Sequence, residues 1–434
     1  MRCRVTAGLI AIGVALVVQG WAQLSYPPAL PGGKTVVTDT TEAFLRPPPG
    51  LRPGVRIART PPTVDFAFYP GQEYPGQPWS VWGDGSVARG KYYSAIGDHL
   101  SPKGTARVFE YDPERRTLRM LVDLRSFLER SGALADGMNY TPGKIHCRIE
   151  MGSDGWLYYA GHRGSPRTTN DAHGFRGDWI FRTHPVTGKT EIVATHPVPK
   201  HVIPMGMLDP ERMLFYGGTA PGSDAEKQSE QLFVYDLRAR KVLLTADDGP
   251  KRYAILSRST GRFYWNGRCY DPPTGTIRPC PAVPEVRSAT AETPQGIVYG
   301  TTDRSAEIWA FDLRTERLTR LGNAAVGSQE YITSLDADPT GRYLYFVAGA
   351  HGRAAEEGTP VVQFDVRTRT SKVIAFLHPF YFERYGYTPD GTFSSALDEK
   401  GERLFVTWNG MRRGARGWEC CALTVIQIPP SERE

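Results

Sequence analysis

Short apolar runs alternating with polar positions recur along most of this 434-residue chain. One unit is repeated with little change: "VFEYDPERRTLRML" from Val108, "IFRTHPVTGKTEIV" from Ile180, "LFVYDLRARKVLLT" from Leu232, "RCYDPPTGTIRPC" from Arg268, "IWAFDLRTERLTRL" from Ile308 and "VVQFDVRTRTSKVI" from Val361. In each, an apolar strand ends in Asp or His, a polar turn follows and a second alternating strand returns, as in a β-hairpin. "LTVIQIPP" from Leu423 is the first half of a seventh copy. Another hairpin precedes each copy, as in "HCRIEMGSDGWLYYAG" and "YITSLDADPTGRYLYFVAG", with Trp79 to Gly97 as a looser first member.

Two hairpins make four strands, and a four-stranded unit recurring every forty to fifty residues or so predicts a radial array of blades. The expected fold is all-β: a seven-bladed β-propeller of four-stranded antiparallel blades, beginning near Ser80, His146, His201, Arg252, Val286, Glu330 and Thr392. Because the seventh blade stops after its third strand, an N-terminal segment, from Thr63 or from Lys34, is expected to add the outer strand and cover the open edge. The best helix candidate is short, Val122 to Arg130.

Composition agrees with this pattern. The 46 Gly, 35 Pro and 11% aromatic residues suit short strands and tight turns. Arg2 and Arg4, an apolar run from Val5 to Gln19 and "GWA" at 20–22 read as a signal peptide over residues 1–22. An extended Pro/Gly-rich segment at 23–62 and a single propeller domain at 63–434 follow. The mature chain is therefore expected to be exported, periplasmic or secreted, with no membrane span. A net charge of +6 without a dense basic run argues against a nucleic-acid partner. In an oxidising compartment Cys269 and Cys280, which flank a turn, are expected to form a disulfide, with Cys147 reduced and buried. Cys420 and Cys421 are adjacent and open to three readings: a vicinal disulfide, a soft-metal pair, or two small buried residues.

Candidate chemistry gathers at one rim of the channel. Loops entering the first strands and leaving the second strands share a face, and His146 and His201 lie at such entries while His99, His162 and His351 lie at such exits. Lys144, Arg163, Lys200 and Arg353 are sequence neighbours of these histidines, and Arg252 and Arg287 occupy further strand entries. His184 stands where other copies have Asp, and it is expected to be structural, as are His196 and His378. His173, in the long blade-two insertion, is a further candidate to fold over the rim.

Imidazole titrates near neutral pH, and a cation beside a carboxylate acidifies the neighbouring C–H, so the set suits proton abstraction from a uronic acid. His146 and His162 are the expected acid/base pair, with Tyr253 as an alternative proton donor. Lys144 and Arg163 would neutralise the carboxylate, with Lys200, His201, Arg252, Arg287 and Arg353 as further substrate contacts. Alternatively His99, His162 and His351 would hold a divalent metal, Zn, Mn or similar. No G-x-S-x-G elbow, C-x-x-C-H haem site or Gly-rich phosphate loop is present.

The stretch "GKIHCRIEMGSDGWLYYAGHRG", residues 143–164, has a strand beginning with His, a DG turn and a return strand ending in His. It resembles the active-site blade of the propeller polysaccharide lyases that cut ulvan. Oligogalacturonate lyase, another seven-bladed propeller, resembles it in having a histidine-rich site. The resemblance is confined to this one blade, and it implies β-elimination on an acidic polysaccharide or oligosaccharide. The competing class is a non-catalytic propeller that binds an acidic glycan or a protein.

Overall fold

The computed structural model describes residues 29–434 apart from 73–78, 101–103, 135–138, 226 and 416. The expected signal peptide, 1–22, lies outside the described residues.

The repeated Asp explains the hairpins. Asp236 Oδ1 accepts from the backbone N–H groups of Arg238 and Ala239, and Asp312 Oδ1 from those of Arg314 and Thr315. Asp112 and Asp365 do the same in their own copies. Each closes an Asx turn on itself. Four residues after the Asp the backbone is left-handed, at Arg116, Arg240, Glu316 and Arg369, with φ of 53°, 51°, 53° and 56°. In blades two and four the equivalent position is Gly188 or Gly275, which adopts it without strain. His184 fills the Asp role through Nδ1, which accepts from Thr187 N–H at 3.3 Å. Its expected structural character follows from that bond.

The described residues form seven blades of antiparallel strands. In blade three they run His201–Asp209, Leu214–Pro221, Gln231–Asp236 and Lys241–Asp247. The innermost strand is buried throughout, while the outermost alternates between exposed and half-buried positions. That gradient reflects sheets packed face to face around an axis, with one edge in the channel and the other in solvent. Apolar side chains, among them Trp179, Trp265 and Trp408, fill the spaces between blades.

Closure uses both N-terminal candidates. Thr63–Phe68 pairs antiparallel with Cys420–Gln427 of blade seven, and Val37–Thr40 then pairs with Thr63–Phe68. Arg56–Ile57 adds a parallel strand to the outer edge of blade six. The C-terminal end is clamped alongside, with Glu432 accepting from the backbone of Arg59 and Thr60 and pairing with Lys372 at 2.8 Å.

Two expectations are corrected, and one element is added. The helix begins at Leu124, because Asp123 caps it by accepting from Ser126 N–H. A second helix, His378–Tyr385, lies between blades six and seven, started by Pro379 and ended by Gly386 at positive φ. Cys269 and Cys280 are buried free thiols: the ladder sets Cys269 opposite Arg278, so that Cys280 stands one diagonal step away and does not face it. Cys147 is likewise a buried thiol, with Sγ accepting from Ala160 N–H at 3.0 Å. No helix among the described residues is long and apolar enough to cross a membrane.

Candidate functional site at the channel rim

In blade two the expected inner strand is interrupted. Only Glu150–Met151 continues the blade, and the chain before it forms a separate two-stranded ladder in which Pro142–Lys144 pairs with His162–Arg163. His162 therefore faces Lys144 in register. His146, two residues beyond this ladder, still turns its ring to His162, edge to face at 5.3 Å between centroids.

Both imidazoles are almost wholly buried, at 8% and 5% exposure, and the Nδ1 atom of each has no hydrogen-bond partner. Arg252 Nη1 lies 3.4 Å from His146 Nε2. A guanidinium only donates, so Nε2 is the accepting atom and the ring proton belongs on Nδ1. Burial, and then the cations Arg252, Lys144 and Arg287, hold His146 well below the ordinary imidazole range. Burial, followed by Lys144 and His146, does the same to His162. Both rings are neutral at neutral pH.

The cations share this neighbourhood without carboxylate partners. Among the described residues, Lys144, Arg163, Arg252 and Arg287 form no ion pair. Burial, then Arg163 and Arg252, lower the Lys144 amine to about 7. Its ammonium sits 4.3 Å from the centroid of the Trp82 ring. Arg287 donates to Tyr331 Oη at 2.8 Å and lies over Phe393 at 5.5 Å. A small cavity of about 20 Å³ lies beside these groups, lined by Trp82, His146, Arg252, Arg287 and Phe393, with Asp84, Arg148 and Tyr253 also in its wall. Burial pushes the Asp84 carboxyl up to about 7, with Arg148 opposing it.

Trp82 organises the rim. Its ring contacts His99 at 4.9 Å, His146 at 6.2 Å, His351 at 6.0 Å and Phe393 at 4.8 Å. Its Nε1 donates to Ser80 Oγ, which bonds in turn to His99 Nδ1 at 2.7 Å. A histidine-led reading passes over Trp82, and also over Tyr331 and Phe393, which pack against His351 at 4.9 and 5.2 Å. Tyr331 directly precedes the Ile332–Ala348 bridge of blade six, whereas Phe393 lies inside the strand Tyr387–Leu397 of blade seven, where the ladder shifts register between Gly391 and Ser394.

Several expected contacts lie elsewhere. His201 is fully buried between Thr219 Oγ1 and Gln228 Oε1, at 2.8 and 2.7 Å. Lys200 pairs with Asp171 and Asp224, tying the blade-two insertion to blade three. Arg353 pairs with Glu356 at 2.9 Å in an exposed turn. His173 bonds within the insertion, Nδ1 to Asn170 Oδ1 at 2.9 Å. The Tyr253 hydroxyl lines the cavity and accepts from Arg148 at 3.3 Å, with burial raising its pKa. His99, His162 and His351 do not meet as a ligand set: among the described residues, no three His, Cys, Asp or Glu side chains are placed to hold a metal ion.

No protein family matches this chain, and no curated protein does. Solved structures are similar at low identity. The WD40 repeats of RRP9 are 11% identical, with a TM-score of 0.46 over 78% of this chain and 91% of that one. A chain of the mitotic checkpoint complex is 10% identical, with a TM-score of 0.47 over 99% of each. A luciferin-regenerating enzyme is 11% identical, with a TM-score of 0.43 over 84% of this chain and 95% of that one. The seven-bladed all-β propeller is given by this chain's own strand pairing.

Proposed function

We propose that the channel rim binds a carboxylate-bearing glycan and that His146 and His162 move a proton on it, a β-elimination of the uronic-acid lyase class. The observation that carries this is a buried, neutral imidazole pair set among cations that have no carboxylate of their own. A ligand carboxylate would take the donors of Arg252, Arg163 and Arg287, acidifying the adjacent C–H. Drawing Arg252 toward the ligand would also free the His146 Nε2 lone pair to accept that proton. The proton gained by His146 would then be relayed through the pair to the leaving oxygen, returning both imidazoles to the neutral state. Lys144, partly neutral near pH 7, contributes less to charge neutralisation than the arginines.

The aromatic wall of Trp82, Tyr331 and Phe393 favours a second reading, a non-catalytic rim that stacks and holds an acidic glycan. One experiment separates the two. The purified protein is offered uronic-acid polysaccharides while new absorbance from unsaturated products is followed, and binding is measured in parallel with wild type and Arg252→Met. Product formation that is lost in the variant supports the lyase. Binding without product supports the second reading, and neither product nor binding overturns both.

A further inference from the structure

Lys144 differs from the paired lysines of this fold. Lys91, Lys189, Lys200 and Lys372 each hold a carboxylate. Lys144 is half-buried, and its ammonium meets the Trp82 ring, while the charges nearest to it are the guanidiniums of Arg163 and Arg252. The imidazoles of His162, its ladder partner, and His146 complete its surroundings. Arginine keeps its proton in proteins whereas lysine gives one up, so in a crowded cationic site the amine is the group that becomes neutral. A desolvated amine beside other cations is the arrangement that activates lysine as a nucleophile.

We infer that Lys144 is a nucleophilic amine placed to condense with the carbonyl carbon of a small 2-oxo acid whose carboxylate the neighbouring guanidiniums hold. The Nζ lone pair adds to the carbonyl carbon and one N–H proton passes to the oxygen, giving a carbinolamine. The C–O bond then breaks, the hydroxyl leaves as water with one proton taken from solvent, and the new C=N bond carries the positive charge. No oxidant or reductant is consumed. The inference rests on the anion-holding part of the reading above and is independent of its proton abstraction.

The test uses the whole protein, pyruvate as the probe and cyanoborohydride to trap the imine, with peptide mass spectrometry to locate the adduct. Acetone serves as the ketone without a carboxylate, and Lys144→Arg as the variant that keeps the charge. The expected result is a reduced adduct at Lys144 about tenfold or more above any other lysine, absent with acetone and absent from the variant. Labelling spread evenly over the lysines, or equal labelling by acetone, overturns the inference. If calorimetry shows a uronic-acid oligosaccharide still binding while Lys144 gives no adduct, the nucleophile fails and the anion-binding reading stands. If Lys144 is trapped but no uronic acid binds, the amine stands and the glycan reading fails.

Discussion

The imidazoles of His146 and His162 meet edge to face, 5.3 Å between centroids, although the ladder that brings them together pairs His162 with Lys144. The pair is thus held by a two-stranded accessory to blade two, outside the blade's own sheet. His146→Ala and His162→Ala are each expected to lower turnover of a uronic-acid glycan by about 10²-fold or more while leaving the fold intact. His184→Ala should leave turnover unchanged, since its ring serves a distant turn. Initial rates, together with circular dichroism of each variant, check this.

Lys144 gives a pH signature of its own. Its pKa falls from 10.5 to about 7 on folding, so between those values the unfolded chain binds more protons and stability rises with pH. The penalty of an uncompensated ammonium is complete below about 7 and is relieved as pH rises through this window. Lys144→Met should therefore raise Tm most below about pH 7, with the gain shrinking toward pH 10.5. A gain that stays constant with pH would trace to packing alone. Thermal unfolding of both proteins across a pH series decides between them.

What the sequence makes legible here is whatever is local. The Asp-led turns were visible because each bond runs from a side chain to backbone two or three residues on, and their regular return disclosed the blades. Trp82 was not visible, because its importance comes from partners in blades two, six and seven, which only the closed ring brings together. Lys200 and His201 misled for the converse reason: they share the position of the rim residues in sequence, but Asp171, Asp224, Thr219 and Gln228 hold their side chains in structural bonds.

The turn aspartates are expected to differ in their contribution to stability. Asp312→Ala removes two hydrogen bonds from backbone donors and should cost about 1 kcal/mol. Asp365→Ala should cost more, because that carboxylate also pairs with Arg342 at 3.0 Å. Equilibrium unfolding in urea, comparing midpoints at an unchanged slope, provides the measurement.

Phe66 should be the most sensitive position in the closing strand. It is 1% exposed and its ring packs on Tyr381 and Tyr385 at 4.7 and 5.5 Å, joining that strand to the helix His378–Tyr385. Phe66→Ala is expected to destabilise the protein by roughly 3–5 kcal/mol. Val186→Ala, at an exposed turn, serves as the control and should be near neutral.

The thiols offer a separate check on the hairpin of blade four. Cys147, Cys269 and Cys280 are expected to resist a thiol reagent in the native protein and to react once it is unfolded without reductant. Failure of Cys269 and Cys280 to react after unfolding would show that they had been joined.

The pairing of Thr63–Phe68 with Cys420–Gln427 also sets an order of events. A chain synthesised from its N-terminus holds the first of these strands with only Val37–Thr40 to pair on one side until the second has been made. Blades one to six can form from neighbouring sequence as the chain lengthens, whereas the seventh must wait for the longest loop closure in the molecule. Ring completion is therefore a late step, and a nascent chain retains an unsealed strand edge until Cys420–Gln427 is available.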